Sequence, residues 1–398
     1  MNFCTKCGAN LNEEAQFCSS CGTANVTQSS IPLQQQAASN QVQGKGKTSM
    51  SAVATITAFT VIVVVVLLIF LLPNGSAETA SNPDDFMVKL LGNDGVEITS
   101  YTGSDKVIVI PQQVQGKNVY SIGIEAFAES EITSITIPDS VTTIDEYAFG
   151  INQLTSIIIP DSVITIDEGA FAGNKLTSVI IPNSVTTIGQ VAFGFNQLTS
   201  VTIPDSLITI DRYTFNKNQL TSIVIPGSVT TIGEHAFDTN HLTSVTIPDS
   251  VTTIDAYAFA NNHLTSVTIP ESVTTIGQVA FGFNQLTSVT IPNSVTTISE
   301  GTFAGNQLTS VTIPDNVTTI GDAAFANNQL TSISISNSVT TIGKGAFANN
   351  QLTSITIPSS VTTIGDEAFD GNPLRSVSVS RGTSVGSEAF GNATVTWR

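Results

Sequence analysis

Residues 154–174 read LTSIIIPDSVITIDEGAFAGN, and the order of apolar side chains in this stretch decides the fold. Leu154, Ile157 and Ile159 face inward while Ser156 and Ile158 alternate outward, the period of two that a strand imposes. Pro160 has no N–H to donate and stops the strand, and Pro160-Asp161-Ser162 then suits a tight turn. Val163 and Ile166 return apolar atoms to the inside. Ala170 and Phe171 follow Ile166 at a spacing that predicts one short helical turn, and Asn174 closes the unit.

The unit recurs. Phe127, Phe149, Phe171, Phe193, Phe215, Phe237, Phe259, Phe281, Phe303, Phe325, Phe347 and Phe369 stand 22 residues apart, and Phe390 follows after 21. One such unit cannot bury its own apolar side, so successive units must stack into a continuous core. The expectation is a leucine-rich-repeat solenoid, mainly β, with one strand and one short helical turn per 22-residue coil. Each buried Phe or Leu contributes about 1.5–3 kcal/mol before entropy is counted. The Asn column that begins at Asn152, Asn174 and Asn196 is expected to satisfy backbone groups between coils. The repeats with a C-terminal cap occupy 127–398, an N-terminal capping repeat 86–126, and a polar stem 73–85.

Upstream of the repeats the chemistry changes. All four cysteines lie at the start, as Cys4-Thr5-Lys6-Cys7-Gly8 and Cys18-Ser19-Ser20-Cys21-Gly22. Four thiolates in two CxxC pairs suit one tetrahedral Zn²⁺, and so short a segment needs such a staple to fold. Four protein ligands close the site, which makes the metal structural. No βαβ pattern surrounds the pairs, against a redox motif; two disulfides would need an oxidising compartment. This zinc module spans 1–25. A Gln-, Ser- and Asn-rich stretch without apolar period follows at 26–50 and is expected to be a disordered linker.

Residues 51–72 read SAVATITAFTVIVVVVLLIFLL, without a charge. As a helix they are long enough to cross a hydrocarbon core of ~30 Å, and the run is longer and further from the start than a signal peptide requires. Lys45 and Lys47 precede it, and Glu78, Asp84 and Asp85 follow. The positive-inside bias therefore puts the N-terminus in the cytoplasm, where thiols stay reduced, and the repeats outside the cell.

Charge also excludes functions. The 398-residue chain has 13 Lys+Arg and 31 Asp+Glu, a net charge of −18, and the part beyond residue 72 carries 10 basic against 29 acidic residues. That sign rules out a strong nucleic-acid footprint. The histidines are only His235, His241 and His263, none with a carboxylate in a motif, so no catalytic set is legible and an enzyme is not expected. His241 and His263 stand one period apart and are expected to be surface neighbours. Asp139, Asp161, Asp205, Asp249, Glu271 and Asp315 follow the turn proline and read as turn residues, with a weak calcium preference as the alternative, although no Gly-Gly-x-Gly-x-Asp pattern occurs.

Residues 3–22 resemble a bacterial zinc-ribbon module. The unit IPxSVTTIGxxAFxxNxLTS resembles the BspA-like class of leucine-rich repeats, and residues 94–127 resemble that family's irregular first repeat. Here Asn fills the slot where the family often has Cys, and Ser336 and Ser380 replace the proline. The resemblance implies a bacterial surface protein concerned with adhesion and binding.

The outward strand positions are almost all hydroxylic, among them Ser200/Thr202, Ser244/Thr246, Ser266/Thr268 and Ser288/Thr290. Phe195 and Phe283 lie two residues past the spine Phe, where other units are small or polar. Ser184–Pro204 and Ser272–Pro292 are identical, and copying multiplies one surface instead of tailoring a pocket. The expected function is a non-enzymatic, membrane-anchored protein that binds an extracellular protein or glycan through repeated weak contacts. The competing expectation is a sensor that couples an outside ligand to a cytoplasmic partner of the zinc ribbon.

Overall fold

The computed structural model describes residues 80–398, together with the backbone of Asn2–Phe3 and Asn10–Leu11. The chain divides into two compact units, Met1–Asn74 and Gly75–Arg398. In the first, Asn2–Phe3 pairs antiparallel with Asn10–Leu11, which brackets the segment carrying Cys4 and Cys7. The four thiols, the linker at 26–50 and the apolar run at 51–72 lie outside the described residues. Among the described residues no helix is long and apolar enough to cross a membrane.

The second unit is a mainly β solenoid of stacked coils, and each coil has three sides. The first side is the anticipated strand, three residues long where it is regular. Ser178–Ile180 pairs parallel with Ser200–Thr202, and Ser310–Thr312 with Ser332–Ser334. In between, the contact thins to single bridges, Val224 to Thr246 to Thr268. The proline turns form as expected, with the Val163 N–H donating to Pro160 O at 3.0 Å, and the turn persists at Ser336 without the ring.

The second side is a strand that the one-strand expectation left out. Thr165–Ile166 and its equivalents pair in register with the same residues of the next coil, Thr143 to Thr165 to Thr187 and Thr297 to Thr319 to Thr341 to Thr363. It is the more continuous ladder of the two. Two residues are too few for a period to reveal, yet β-branched Thr and Ile fit a pleated surface well.

The third side corrects the expected helical turn. Among the described residues the only helix is the 3₁₀ turn Pro83–Asp85. Each coil instead makes two linked turns, as in Ala148 N–H to Asp145 O (3.1 Å) and Gly150 N–H to Tyr147 O (2.9 Å). Tyr147 and Ile151 have φ of 51° and 53°, and the same two columns are left-handed in each coil from Glu125 and Glu129 to Glu367 and Gly371. The reason is donor direction. A single helical turn leaves most of its N–H and C=O groups without partners. Alternating the sign of φ aims Tyr147, Phe149 and Ile151 N–H at Glu168, Ala170 and Ala172 O of the next coil, at 2.8 Å each.

The spine phenylalanines from Phe127 to Phe369 are completely buried. Neighbouring rings are 5.1 Å apart at the closest (Phe347–Phe369) and 5.9 Å at the widest (Phe281–Phe303), near-parallel and offset. Tyr101 and Phe86 close the column above Phe127, and Phe390 closes it below. At the N-terminal end Phe86–Leu91 pairs antiparallel with Gly95–Tyr101, which runs parallel to Lys117–Ile122 and so into the Thr–Ile ladder. At the other end Ser376–Val379 pairs with Thr394–Trp397, and the Arg398 guanidinium donates to Ile357 O.

The asparagine column does what was expected of it. Asn262 Oδ1 accepts the Leu242 N–H of the preceding coil (3.0 Å), and its Nδ2 donates to Phe237, Phe259 and Ala260 O (2.9, 3.2 and 3.0 Å). A second side-chain column runs beside the second ladder and was not anticipated. The Ser after most turns donates to the preceding coil, as Ser250 Oγ does to Val229 O at 2.7 Å, while Ser184 and Ser360 Oγ have no such partner.

Candidate binding faces

The solenoid turns two chemically different surfaces outward. On the first side, Thr202, Ser244, Thr246, Ser266, Thr268, Ser288 and Thr290 are exposed, and Ser200 is half-buried. In-register pairing places them as a hydroxyl strip along the axis. Ile158, Ile180 and Val224 break the strip and are 75%, 50% and 81% exposed. Phe195 and Phe283 are not part of it. They lie on the turn side, separated from the strand by buried Asn196 and Leu198 in one coil and Asn284 and Leu286 in the other.

Phe195 and Phe283 are 47% and 54% exposed, and both occupy a left-handed column with φ of 56°. Lys217 Nζ stands 4.8 Å from the centre of the Phe195 ring. The Phe283 ring reaches over Gly305, where a Cβ would come within 2.8 Å of it.

Between these two rings the turn side carries a cluster that the repeat pattern did not announce. Tyr213, His235 and Tyr257 stack in three successive coils with ring centres 4.6 and 4.5 Å apart. His235 Nδ1 lies 2.9 Å from Oδ2 of buried Asp238, and Nε2 lies 3.9 Å from Glu234 Oε1. Asp238 also accepts from Asn216 (3.2 Å), Asn261 (2.9 Å) and Thr239 (3.2 Å). Arg212 pairs with Glu234 at 2.9 Å. Burial pushes the Asp255 carboxyl up, helped by the charge on Glu234 and opposed by Arg212. The sequence signal for this cluster is the replacement, in two successive coils, of the Gly or Ala that usually follows the spine Phe by Asn216 and Asp238.

The remaining sequence candidates are accounted for by local contacts. His241 and His263 stack with ring centres 5.5 Å apart, as their spacing predicts. Turn carboxylates are used between coils, Glu271 Oε2 accepting the Asn293 N–H (2.9 Å) and Asp315 Oδ1 the Ser336 hydroxyl (2.7 Å). Among the described residues no group of three or more ligating side chains could hold a metal. For zinc, the chemistry of the donor set fits: four thiols in two CxxC pairs at Cys4, Cys7, Cys18 and Cys21, the first pair bracketed by antiparallel backbone.

The family described as zinc-ribbon domain matches residues 3–25. A leucine-rich repeat protein from Bacteroides ovatus is similar in structure, with a TM-score of 0.64 and 22% identity over 81% of this chain and 100% of that one. A leucine rich cell surface protein from Faecalibacterium prausnitzii has a TM-score of 0.51 and 28% identity over 81% and 95%. The pneumococcal vaccine antigen PcpA has a TM-score of 0.52 and 21% identity over 78% and 98%. No curated protein matches. The family described as BspA type leucine rich repeat region matches in overlapping stretches from residue 105 to residue 396, most of the chain, and the chain therefore belongs to that family.

Proposed function

We propose that this chain is a non-enzymatic, single-pass surface protein whose repeats bind extracellular protein or glycan by many weak contacts, with the N-terminus in the cytoplasm. The observation that carries the reading is the hydroxyl strip, repeated coil after coil in register, on a solenoid built from near-identical units. Repetition of a weak contact raises overall binding by effective concentration without any single strong site. The leucine rich cell surface protein from Faecalibacterium prausnitzii supports the location. The uncharged run 51–72 serves as the anchor, and Cys4, Cys7, Cys18 and Cys21 hold one structural Zn²⁺.

Residues 75–398 form a compact unit with its own core and serve for the test. Retention of this unit is measured on surfaces coated with fibronectin, collagen, fibrinogen or mucin. Retention on at least one is expected, falling at least tenfold in a Thr246→Lys/Thr268→Lys variant, which puts charge in the centre of the strip. Absence of retention on every surface contradicts the proposal. For the metal, the full chain is expected to hold one zinc per molecule, lost in Cys4→Ser/Cys18→Ser. A full chain without zinc contradicts that part.

A further inference from the structure

The turn side is flat where the repeat is regular, with Gly169, Ala172 and Gly173 in one coil and Gly301, Ala304 and Gly305 in another. Between Phe195 and Phe283 it changes character over several successive coils; among the described residues the only comparable apolar group outside this stretch is Tyr147 with exposed Ile151, in a single coil nearer the N-terminal end. The position of Asp238 is Gly or Ala in the coils at Gly150, Ala172, Gly194, Ala260, Gly282 and Ala304. Those coils stack as well as this one, so the fold does not need a carboxylate there. Burying one is costly unless several donors compensate it. Here the compensation comes from His235, Asn216, Asn261 and Thr239, of which Asn216 likewise replaces the Gly or Ala usual after the spine Phe. Five residues from three coils support one another in a place where stability alone would use alanine.

The effect of this network is to fix polar groups at the surface. With Nδ1 held by Asp238, the imidazole is locked between two tyrosine rings and its Nε2 remains for a ligand. Exposed Asn261 is tied to Asp238 through its Nδ2, which sets the direction of its remaining donor and acceptor, while Asn216 is buried beneath and holds Asp238 by its carbonyl and its carboxylate. Locally Arg212 and Lys217 stand against Asp211, Glu234, Asp238 and Asp255, a small net negative charge. The exposed apolar rings, Phe195 and Phe283, stand at the two ends, four coils or roughly 20 Å apart at strand spacing.

We propose that the turn side between Phe195 and Phe283 binds an extended neutral oligosaccharide lying along the solenoid axis, with His235, fixed by Asp238, as its central hydrogen-bonding group. Sugar hydroxyls both donate and accept, which matches the Asn261 amide, the imidazole and the tyrosine hydroxyls in the middle. The C–H faces of a sugar ring match the exposed phenylalanines at the ends. A protein partner fits less well, because protein interfaces place apolar residues at the centre and polar groups at the rim, and this surface has the opposite order. The net negative local charge gives an anionic polymer no handle. The inference rests on the reading of the chain as a binding protein and assigns a ligand to a face other than the hydroxyl strip.

The experiment is affinity electrophoresis of residues 75–398 through native gels cast with β-1,3-glucan, galactomannan, xylan, amylopectin or glycol chitin. Retardation in at least one gel is expected. The apparent Kd should rise at least tenfold in Asp238→Ala and in Phe283→Asn, substitutions that install residues found at the same positions of other coils, and stay within twofold in Thr246→Lys/Thr268→Lys. Circular dichroism verifies that each variant is folded. Failure of all five polysaccharides to retard the protein, or retardation that survives both Asp238→Ala and Phe283→Asn, overturns the site. If, besides, the coated surfaces retain the protein through Thr246 and Thr268, the hydroxyl strip stands and only this assignment falls. Failure on both the gels and the coated surfaces rejects the binding reading altogether.

Discussion

Asn262 shows how much a single side chain carries between coils. It answers one buried N–H and three carbonyls, and alanine would leave the Leu242 N–H without a partner, while Phe237, Phe259 and Ala260 O keep Asn240, Asn284 and Thr239 as donors. An unpaired buried polar group costs about 1–3 kcal/mol, so Asn262→Ala should destabilise residues 75–398 by about 1–3 kcal/mol, read as a lower urea midpoint. Asp255 works in the other direction. Its carboxyl is pushed up by burial first and by Glu234 second. A raised folded value means that its contribution is present below the ordinary unfolded carboxyl range, about 3.9, and is lost as pH rises through the folded value. Asp255→Asn should therefore melt higher than the parent at pH 7, with the advantage vanishing below about pH 4. A constant difference across that range would show that the carboxyl's charge is not what matters.

At the scale of the coil, the sequence disclosed some sides and hid others, for physical reasons. The buried spine was legible because Phe171 and its equivalents recur without interruption. The Asn174 column was legible because a polar residue fixed beside an apolar spine has few other uses. The Thr165–Ile166 ladder was hidden because two residues cannot display a period. The left-handed columns were hidden because their usual marker is glycine, and here Tyr147, Ile151, Val191 and Phe195 occupy them. Those residues tolerate the conformation because hydrogen bonds to the next coil over-determine it. The strain should still be measurable where a small residue stands. Ala323, at φ 52°, carries a left-handed penalty of about 1–2 kcal/mol, partly offset by the ~0.5–1 kcal/mol that glycine loses in backbone entropy on folding. Ala323→Gly should raise stability by about 0.5–1 kcal/mol in urea unfolding. The cluster around Asp238 escaped notice for a different reason, since it consists of departures from the repeat spread over three coils, each unremarked on its own.

For the whole solenoid, the account holds that the coil is the unit of structure and that length is a sum of coils. The identical segments Ser184–Pro204 and Ser272–Pro292 allow a direct test. Excising 184–271 removes four coils and joins residue 183 to 272, the same dipeptide that 183 and 184 make in the intact chain. Small-angle scattering of residues 75–398 with and without this excision should show the long dimension shortened by roughly 20 Å, four strand spacings, with the cross-section unchanged. A profile that loses compactness, or a long dimension that does not change, would contradict the stacking of coils around the phenylalanine spine.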